Sequence, residues 1–363
     1  MRIIIAYNTF HYVYLFRLNL IDRLLMSGYD VWIMAPNDHY YSVLNDRGYK
    51  LIKSDIGTSG GIFSKIIGLF QAGMLLYRLK PDIVLSFTIY PNFLFSFFRL
   101  FFKFRLIPNV TGLGSFVLGK RNGFLTTLIY KSIFIRSHHV LFQNDYDLKY
   151  FAGTQLLGTG NHSVIPGSGV DLSGYSKNYN VSSELKFAFI GRFIVDKGLI
   201  EFFDAVSYLR DLGYCFKYEI YGDFSTSNSQ PLSKNYMQKM CNTLNIDLKG
   251  FVEEREDIYK GISAIVLPSY REGTSKVLLE ACASYIPCLT TDVPGCNNVI
   301  RDGFNGFLCK PRDHRSLAEI IIKFSELAPS CRERFSANAR LHVEKNFSEE
   351  IVIHKYLELV NSS

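Results

Sequence analysis

The first 214 residues contain no cysteine, and the seven that follow (215, 241, 282, 288, 296, 309 and 331) include no Cys-x-x-Cys pair. An odd number without paired spacing argues against a disulfide framework or a zinc site and favours a reducing cytoplasm. Glutamate is missing from residues 1–175, where 17 Lys and Arg face 9 Asp, while residues 176–363 hold 23 Lys and Arg against 24 acids. The whole net charge of +7 therefore belongs to the first half. Short repeats and low-complexity tracts are absent too. The N-terminus, MRIIIAYNTFHYVY, lacks a small-residue cleavage site and reads as a first strand rather than a signal peptide.

What is present fits a folded, globular chain: 48% hydrophobic, 20% charged and, at 363 residues, long enough for two domains. A basic half suits nucleic acid or an anionic membrane. The segment Phe93–Arg105 bears on that choice, with seven phenylalanines and three cations in thirteen residues. It is too short and too basic for a spanning helix of about 20 apolar residues. One reading is a buried helix whose Arg99 and Lys103 share the solvent edge. The other is a helix lying in the membrane interface, where basic residues beside Phe and Leu are at home. No nucleic-acid signature accompanies the charge, so the expectation is no nucleic acid and a soluble enzyme that touches an anionic membrane surface.

Strands alternate with helices along the first half. Arg2–Tyr7, Asp30–Ala35, Lys50–Ile56, Ile83–Phe87, Arg105–Val110 and His139–Gln143 read as strands, and Phe16–Ser27 as the first helix. Such alternation predicts a doubly wound parallel sheet whose ligands sit beyond the carboxyl ends of the strands. That singles out Asn8–Tyr12, Thr88–Asn92 and Thr111–Ser115. Residues Gly158–Asn180, rich in Gly, Ser and Asn, have a linker's composition. A second series follows, with strands at Phe187–Ile190, Tyr218–Tyr221, Leu248–Phe251, Ala264–Leu267 and Cys288–Thr291. The expected fold class is α/β with two tandem doubly wound domains, residues 1–175 and 176–347. A last helix, 348–363, has no strand of its own and is expected to return to the first domain.

Four signals in the second half suit a phosphate-bearing ligand. Gly191, Arg192 and Lys197 follow a strand, and the two cations can face one diphosphate, Arg as a fork and Lys as a point charge. Gly222 ends the next strand, where it would allow close approach to the backbone. Phe251 and Val252 follow another, with backbone groups for a base edge. Then Tyr270–Glu280 places two carboxylates, Glu272 and Glu280, eight positions apart around Gly273, Thr274, Ser275, Lys276 and Val277. Thr274 and Ser275 can cap the helix that follows, and its first-turn N–H groups form an anion site. Eight helical residues span about 12 Å, the reach from a sugar to a ribose across a diphosphate.

The stretches GRFIVDKG, YGD, GFVEE, REGTSKVLLEA and VPGCNNVIRDGFNGFL resemble the retaining family 4 glycosyltransferases of the GT-B fold, over essentially all of residues 181–347. NTFHYVYLFRLNLIDRLLMSGYDVWIMAP, VTGLGSF and IPGSGVDL are more loosely similar to enzymes that build bacterial surface polysaccharides. The resemblance implies two domains facing each other across a cleft. It matches Glu272 and Glu280 to the family's Glu-x7-Glu motif, and Arg192 and Lys197 to its diphosphate-binding pair. It further implies no metal cofactor, a nucleotide-sugar donor (UDP favoured) and an acceptor held by the first domain. Glu272 would face the sugar, the N–H groups of Gly273–Lys276 the phosphates, and Glu280 the ribose. His11 is the best first-domain candidate near the reaction centre, with Thr111 and Gly112 in the acceptor cleft, although the family's glycine-rich form of the first loop is missing. The basic, Phe-rich half suits a lipid-diphosphate-linked saccharide at the inner face of the plasma membrane. The rival readings are a GT-B UDP-N-acetylglucosamine 2-epimerase and a catalytically silent nucleotide-sugar-binding scaffold.

Overall fold

The structure, a computed structural model, describes residues 1–54, 62–112, 123–154, 156–157, 161–176, 184–224, 231–252 and 258–362. Within Thr111–Ser115 and the stretch GFVEE, residues 113–115 and both glutamates of GFVEE lie outside the described residues. The chain forms two compact units, Met1–Ser168 with Val352–Ser363 and Gly169–Ile351.

The first unit is built on seven parallel strands: β1 (Arg2–Ala6), β2 (Asp30–Ala35), β3 (Lys50–Lys53), β4 (Ile83–Phe87), β5 (Arg105–Val110), β6 (Val140–Phe142) and β7 (His162–Val164). Their order is β3-β2-β1-β4-β5-β6-β7. Strands covered on both faces are nearly continuously apolar, and the period of two divides them between two cores. Ile3, Ile5, Ile83, Leu85 and Phe87 enter one, whereas Ile4, Ala6 and Val84 enter the other. Val352, Ile353, Tyr356 and Val360 of the last helix, Glu349–Asn361, pack into the first of these cores. Asn109 Nδ2 donates to Tyr356 Oη at 2.7 Å, and Arg105 Nη1 donates to Val360 O at 3.2 Å near the helix end.

Three sequence expectations need correction here. The first helical region is two helices, α1 (Phe10–Phe16) and α2 (Leu18–Met26). They break at Arg17, whose buried guanidinium lies 4.4 Å from the centroid of the Phe87 ring. Thr9 caps α1 by accepting from Tyr12 N at 3.0 Å. After α3 (Tyr40–Asp46) and α4 (Ile62–Leu79) comes α5 (Ile89–Phe98). The phenylalanine-rich run is therefore not one helix: α5 ends at Phe98, a turn follows, and Arg105 starts β5. Phe95, Phe98 and Phe104 are buried on the sheet while Phe93, Leu100 and Phe101 are exposed, so neither simple reading of the run holds. Finally, the expected linker contains β7, paired with β6.

The second unit has six parallel strands: β8 (Lys186–Ile190), β9 (Lys217–Tyr221), β10 (Asp247–Gly250), β11 (Ala264–Leu267), β12 (Cys288–Thr291) and β13 (Gly306–Cys309). The last of these, which opens on Gly306, was not anticipated. The order is β10-β9-β8-β11-β12-β13. In both sheets the chain first builds outward in one direction and then restarts on the other side of its first strand. This gives each unit a topological switch point, between β1 and β4 in the first and between β8 and β11 in the second.

Candidate active site

The four predicted segments of the second unit follow β8, β9, β10 and β11, and so leave the carboxyl ends of four neighbouring strands. Strand order turns the loops after β8 and β11 toward one crevice, and Lys197 and Glu272 meet there. Lys197 Nζ donates to Glu272 Oε1, and Ser269 Oγ donates to the same oxygen at 2.8 Å. The two charged side chains are only 17% and 13% exposed, so their attraction is less screened than at an open surface. Two donors on one carboxylate oxygen fix the carboxylate's plane, and an ammonium carries further protons for an anion.

The loop carrying Glu272 is tied down from three sides. Tyr270 N donates to Asp196 O at 2.9 Å, and Tyr270 Oη donates to Glu201 Oε1 at 2.6 Å. Burial, reinforced by the Glu201 carboxylate, holds the Tyr270 phenol well above its ordinary range, so it remains a donor. The Arg312 guanidinium covers the other side of the ring, 3.9 Å from its centroid. Toward the loop after β12, Glu272 N donates to Pro294 O at 3.2 Å and Ser275 N to Gly295 O at 3.0 Å. Gly295 has φ +86°, and a Cβ there would stand 2.3 Å from Glu272 O. Only glycine supports this loop without displacing it. The nearby Cys296 thiol is pushed up to about 12, by burial first and then by Glu272, so it is not a thiolate near neutrality.

The helix after this loop, Lys276–Ala283, starts only at Lys276, so Glu272 lies before it and the eight positions are not one helical span. Ser275 occupies the N-cap position without a side-chain capping bond, and Thr274 Oγ1 instead accepts from Asn298 Nδ2 at 3.3 Å. Because Ser275 N already serves Gly295, the predicted phosphate cradle loses one donor. Val277 packs against the core of the unit, partly buried. Glu280 is buried and accepts from Tyr259 Oη at 3.1 Å, with Lys276 Nζ 3.9 Å away. Sequence reasoning missed Tyr259, Ser269 and Gly295. Only Gly295 carried a local signal, the Pro-Gly dipeptide.

Arg192 is exposed on the loop after β8. Gly191 and Gly222 lie against each other: Gly222 has φ +150°, and a Cβ on it would meet Gly191 O at 1.8 Å. Glycine at 222 is thus demanded by the neighbouring backbone. Phe251 is 62% exposed just past β10, and Val252 is half-buried beside it. No group of three or more metal-ligating side chains occurs among the described residues.

The family described as Glycosyl transferases group 1 matches residues 176–342, and the family described as Glycosyl transferase 4-like matches residues 4–144. The chain therefore carries a glycosyltransferase group 1 domain and a glycosyltransferase 4-like domain. It is 24% identical to the N,N'-diacetylbacillosaminyl-diphospho-undecaprenol alpha-1,3-N-acetylgalactosaminyltransferase of Campylobacter jejuni, over 96% of this chain and 95% of that one. It is 29% identical to the capsular polysaccharide biosynthesis glycosyltransferase CapM of Staphylococcus aureus, over 48% of this chain and only 45% of that relative's length. The fold matches that of Anabaena HepE, solved in complex with UDP and glucose, with a TM-score of 0.81 at 14% identity over 100% of both chains. The fold of this glycosyltransferase is therefore GT-B.

In the first unit of the glycosyltransferase, His11 is the second residue of α1 and not part of a loop. Its backbone N donates to Asp38 Oδ2 at 3.0 Å, and its ring stacks on Tyr40 with centroids 4.5 Å apart. Thr111 and Gly112 follow β5, half-buried. Around this sheet's own switch point, Asn8 Oδ1, Thr88 Oγ1 and Asn109 Oδ1 are buried with no hydrogen-bond partner among the described residues. Thr88 also has φ +68°, a strained value for a β-branched residue. Neither the orphaned atoms nor the strain had a signal in the sequence.

Proposed function

We propose that the chain is a retaining transferase of a hexose or N-acetylhexosamine. The donor is a nucleotide sugar, UDP-linked by preference, and the acceptor a lipid-diphosphate-linked saccharide in bacterial surface-polysaccharide synthesis. The observation that carries this reading is the Lys197–Glu272 pair at the switch point between β8 and β11. Beside it, exposed Arg192 supplies a second cation for a leaving diphosphate, so charge can be neutralised there without a metal. Glu272, braced by Ser269 and Lys197, orients the sugar, and Glu280 with Tyr259 holds the ribose end.

In the transfer, the bond from the anomeric carbon to the diphosphate oxygen breaks as a bond from that carbon to the acceptor hydroxyl forms on the same face. The acceptor proton passes to the departing phosphate, so no protein nucleophile is needed. The neutral Cys296 thiol fits this scheme. For the acceptor, support comes from the names of the relatives, one a transferase to a diphospho-undecaprenol-linked sugar and another a capsule glycosyltransferase. UDP and glucose in HepE support the donor class. The orphaned polar atoms of Asn8, Thr88 and Asn109 suit saccharide hydroxyls. The proposed working place is the inner face of the plasma membrane. Among the described residues no helix is long and apolar enough to cross a membrane.

The test incubates the protein with a panel of nucleotide sugars and a lipid-diphosphate-sugar acceptor and follows nucleotide release. Acceptor-dependent release with an α-linked product is expected from an α-linked donor. Conversion of UDP-N-acetylglucosamine without acceptor would instead indicate the epimerase, and binding without turnover of any donor the silent scaffold.

A further inference from the structure

We infer that the outer face of the helical layer formed by α4, α5 and the helix Gly123–Arg136 is a docking surface for an anionic phospholipid bilayer. The three helices lie side by side on one face of the first sheet. A Cβ on Gly73 of α4 would stand 3.2 Å from the Phe98 ring of α5. On the other flank, Ser96 Oγ is 3.2 Å from Ser132 Oγ, and Arg99 Nε donates to Arg136 O at 3.3 Å. The inner faces are ordinary core, with Ala72, Leu76, Phe95 and Ile133 fully buried.

The outer faces are apolar as well, which burial in this unit does not explain. On α4, Phe70, Met74 and Tyr77 recur at helical spacing opposite Ala72 and Leu76, and Phe70 and Tyr77 are 71% and 70% exposed. The turn after α5 raises Phe101, 68% exposed, and the third helix presents Ile135 at 66%. Single exposed apolar residues are common, but several large ones on one helical layer and its adjoining turn mark an interaction surface.

Charge identifies the occupant. The sequence of these three helices contains four Lys or Arg (Lys65, Arg78, Lys131 and Arg136) and no Asp or Glu, and exposed Lys80 and Lys103 flank them. Aromatic and aliphatic side chains that insert at headgroup depth, set among cations that meet anionic headgroups, are the chemistry of an interfacial membrane surface. A second copy docked through the same face would bring like charges together, which disfavours that occupant. The inference extends the proposed lipid-linked acceptor, since the surface would hold the enzyme where such an acceptor resides.

The test uses the full chain and sedimentation with phosphatidylglycerol–phosphatidylcholine vesicles or phosphatidylcholine vesicles alone. Retention is expected on the anionic vesicles, falling as salt is raised. Phe70→Ser and Phe101→Ser are each expected to weaken it about tenfold, and Lys103→Gln about fivefold. These side chains are exposed, and unchanged thermal unfolding will verify that the variants fold. Equal retention on neutral vesicles, or variants that bind like the parent, would overturn the inference. So would the loss, in these variants, of a concentration-dependent dimer seen by light scattering. Turnover with a water-soluble acceptor analogue is expected to be unchanged in all three, so a failure of the proposed function registers in turnover and a failure of the surface in retention.

Discussion

The two units share a strand order up to their sixth strand, yet they treat their switch points in opposite ways. In the second, the crevice between β8 and β11 is filled by a charged pair, Lys197 and Glu272, with Ser269, Tyr270, Asp196 and Gly295 bracing it. In the first, the strand ends around β1 and β4 carry buried polar atoms with no partner among the described residues. Apart from buried side chains such as Arg17, whose guanidinium lies over Phe87, charge in the first unit lies at its surface instead. The same topology therefore supports two kinds of recognition. A preorganised charge cluster suits a ligand with a fixed diphosphate. Neutral hydroxyl and amide groups, together with an apolar cationic surface, suit a sugar on a lipid.

The largest effect is expected where the second unit's cluster is broken at its centre. Glu272→Ala is predicted to lower kcat about 10²–10³-fold while donor affinity changes little, as read by nucleotide release and donor titration. Wild-type kinetics in this variant would end the contrast between the units. Next, Gly295→Ala adds a Cβ against the Glu272 carbonyl at a positive φ. It is expected to destabilise the second unit by about 1–3 kcal/mol and to reduce kcat, measured by thermal unfolding and turnover. Smaller again, Tyr259→Phe removes the hydrogen bond to buried Glu280. Donor KM is expected to rise about tenfold with kcat within about twofold, and Glu280→Ala should follow the same pattern more severely. A kcat loss without a KM change in Tyr259→Phe would mean that Glu280 serves the chemistry rather than the donor's ribose.

The comparison also explains what was legible in the sequence. Core strands such as β4, apolar but for Ser86, were read with their boundaries, whereas β7, with the polar residues His162 and Ser163, and β13, which opens on Gly306, are too short to announce a period. The helix α1 escaped because FHYVYLF is aromatic nearly throughout and buries only Phe10 and Val13. Arg192, Lys197 and Glu272 stood out because charged residues beside glycines near strand ends have few structural uses, and Glu280 by its spacing from Glu272. Tyr259 and Ser269 were not, since their roles arise from contacts that spacing does not encode: Tyr259 reaches Glu280 across 21 positions, and Ser269 was indistinguishable from any loop serine. The phenylalanine run misled for a physical reason. Its composition is that of one helix, but Phe98 closes α5 and the following turn divides buried Phe95 and Phe104 from exposed Phe101.

The smallest predicted effect concerns acid, and it separates the units through one reporter. His139 lies in the first unit, its Nε2 2.8 Å from Ser163 Oγ. Burial, helped by the charges of Lys355, His138 and His162 and opposed by Glu358, lowers its pKa to about 4. Its neighbour His138 is lowered as well, by burial and by Arg105 and Arg99. In the unfolded chain a histidine titrates near about 6.5. Between these values the unfolded state binds more protons than the folded one, so stability rises with pH and is lost as pH falls from about 6.5 toward about 4. The second unit has one comparable group, His342, lowered by burial and Arg301. The only tryptophan, Trp32, lies on β2 of the first unit, so its fluorescence reports that unit's acid transition alone. His139→Gln is expected to move the Trp32 transition to lower pH and leave the far-ultraviolet signal of the second unit in place. Coincident Trp32 transitions in the parent and the variant would show that the acid sensitivity of the first unit lies elsewhere than in His139.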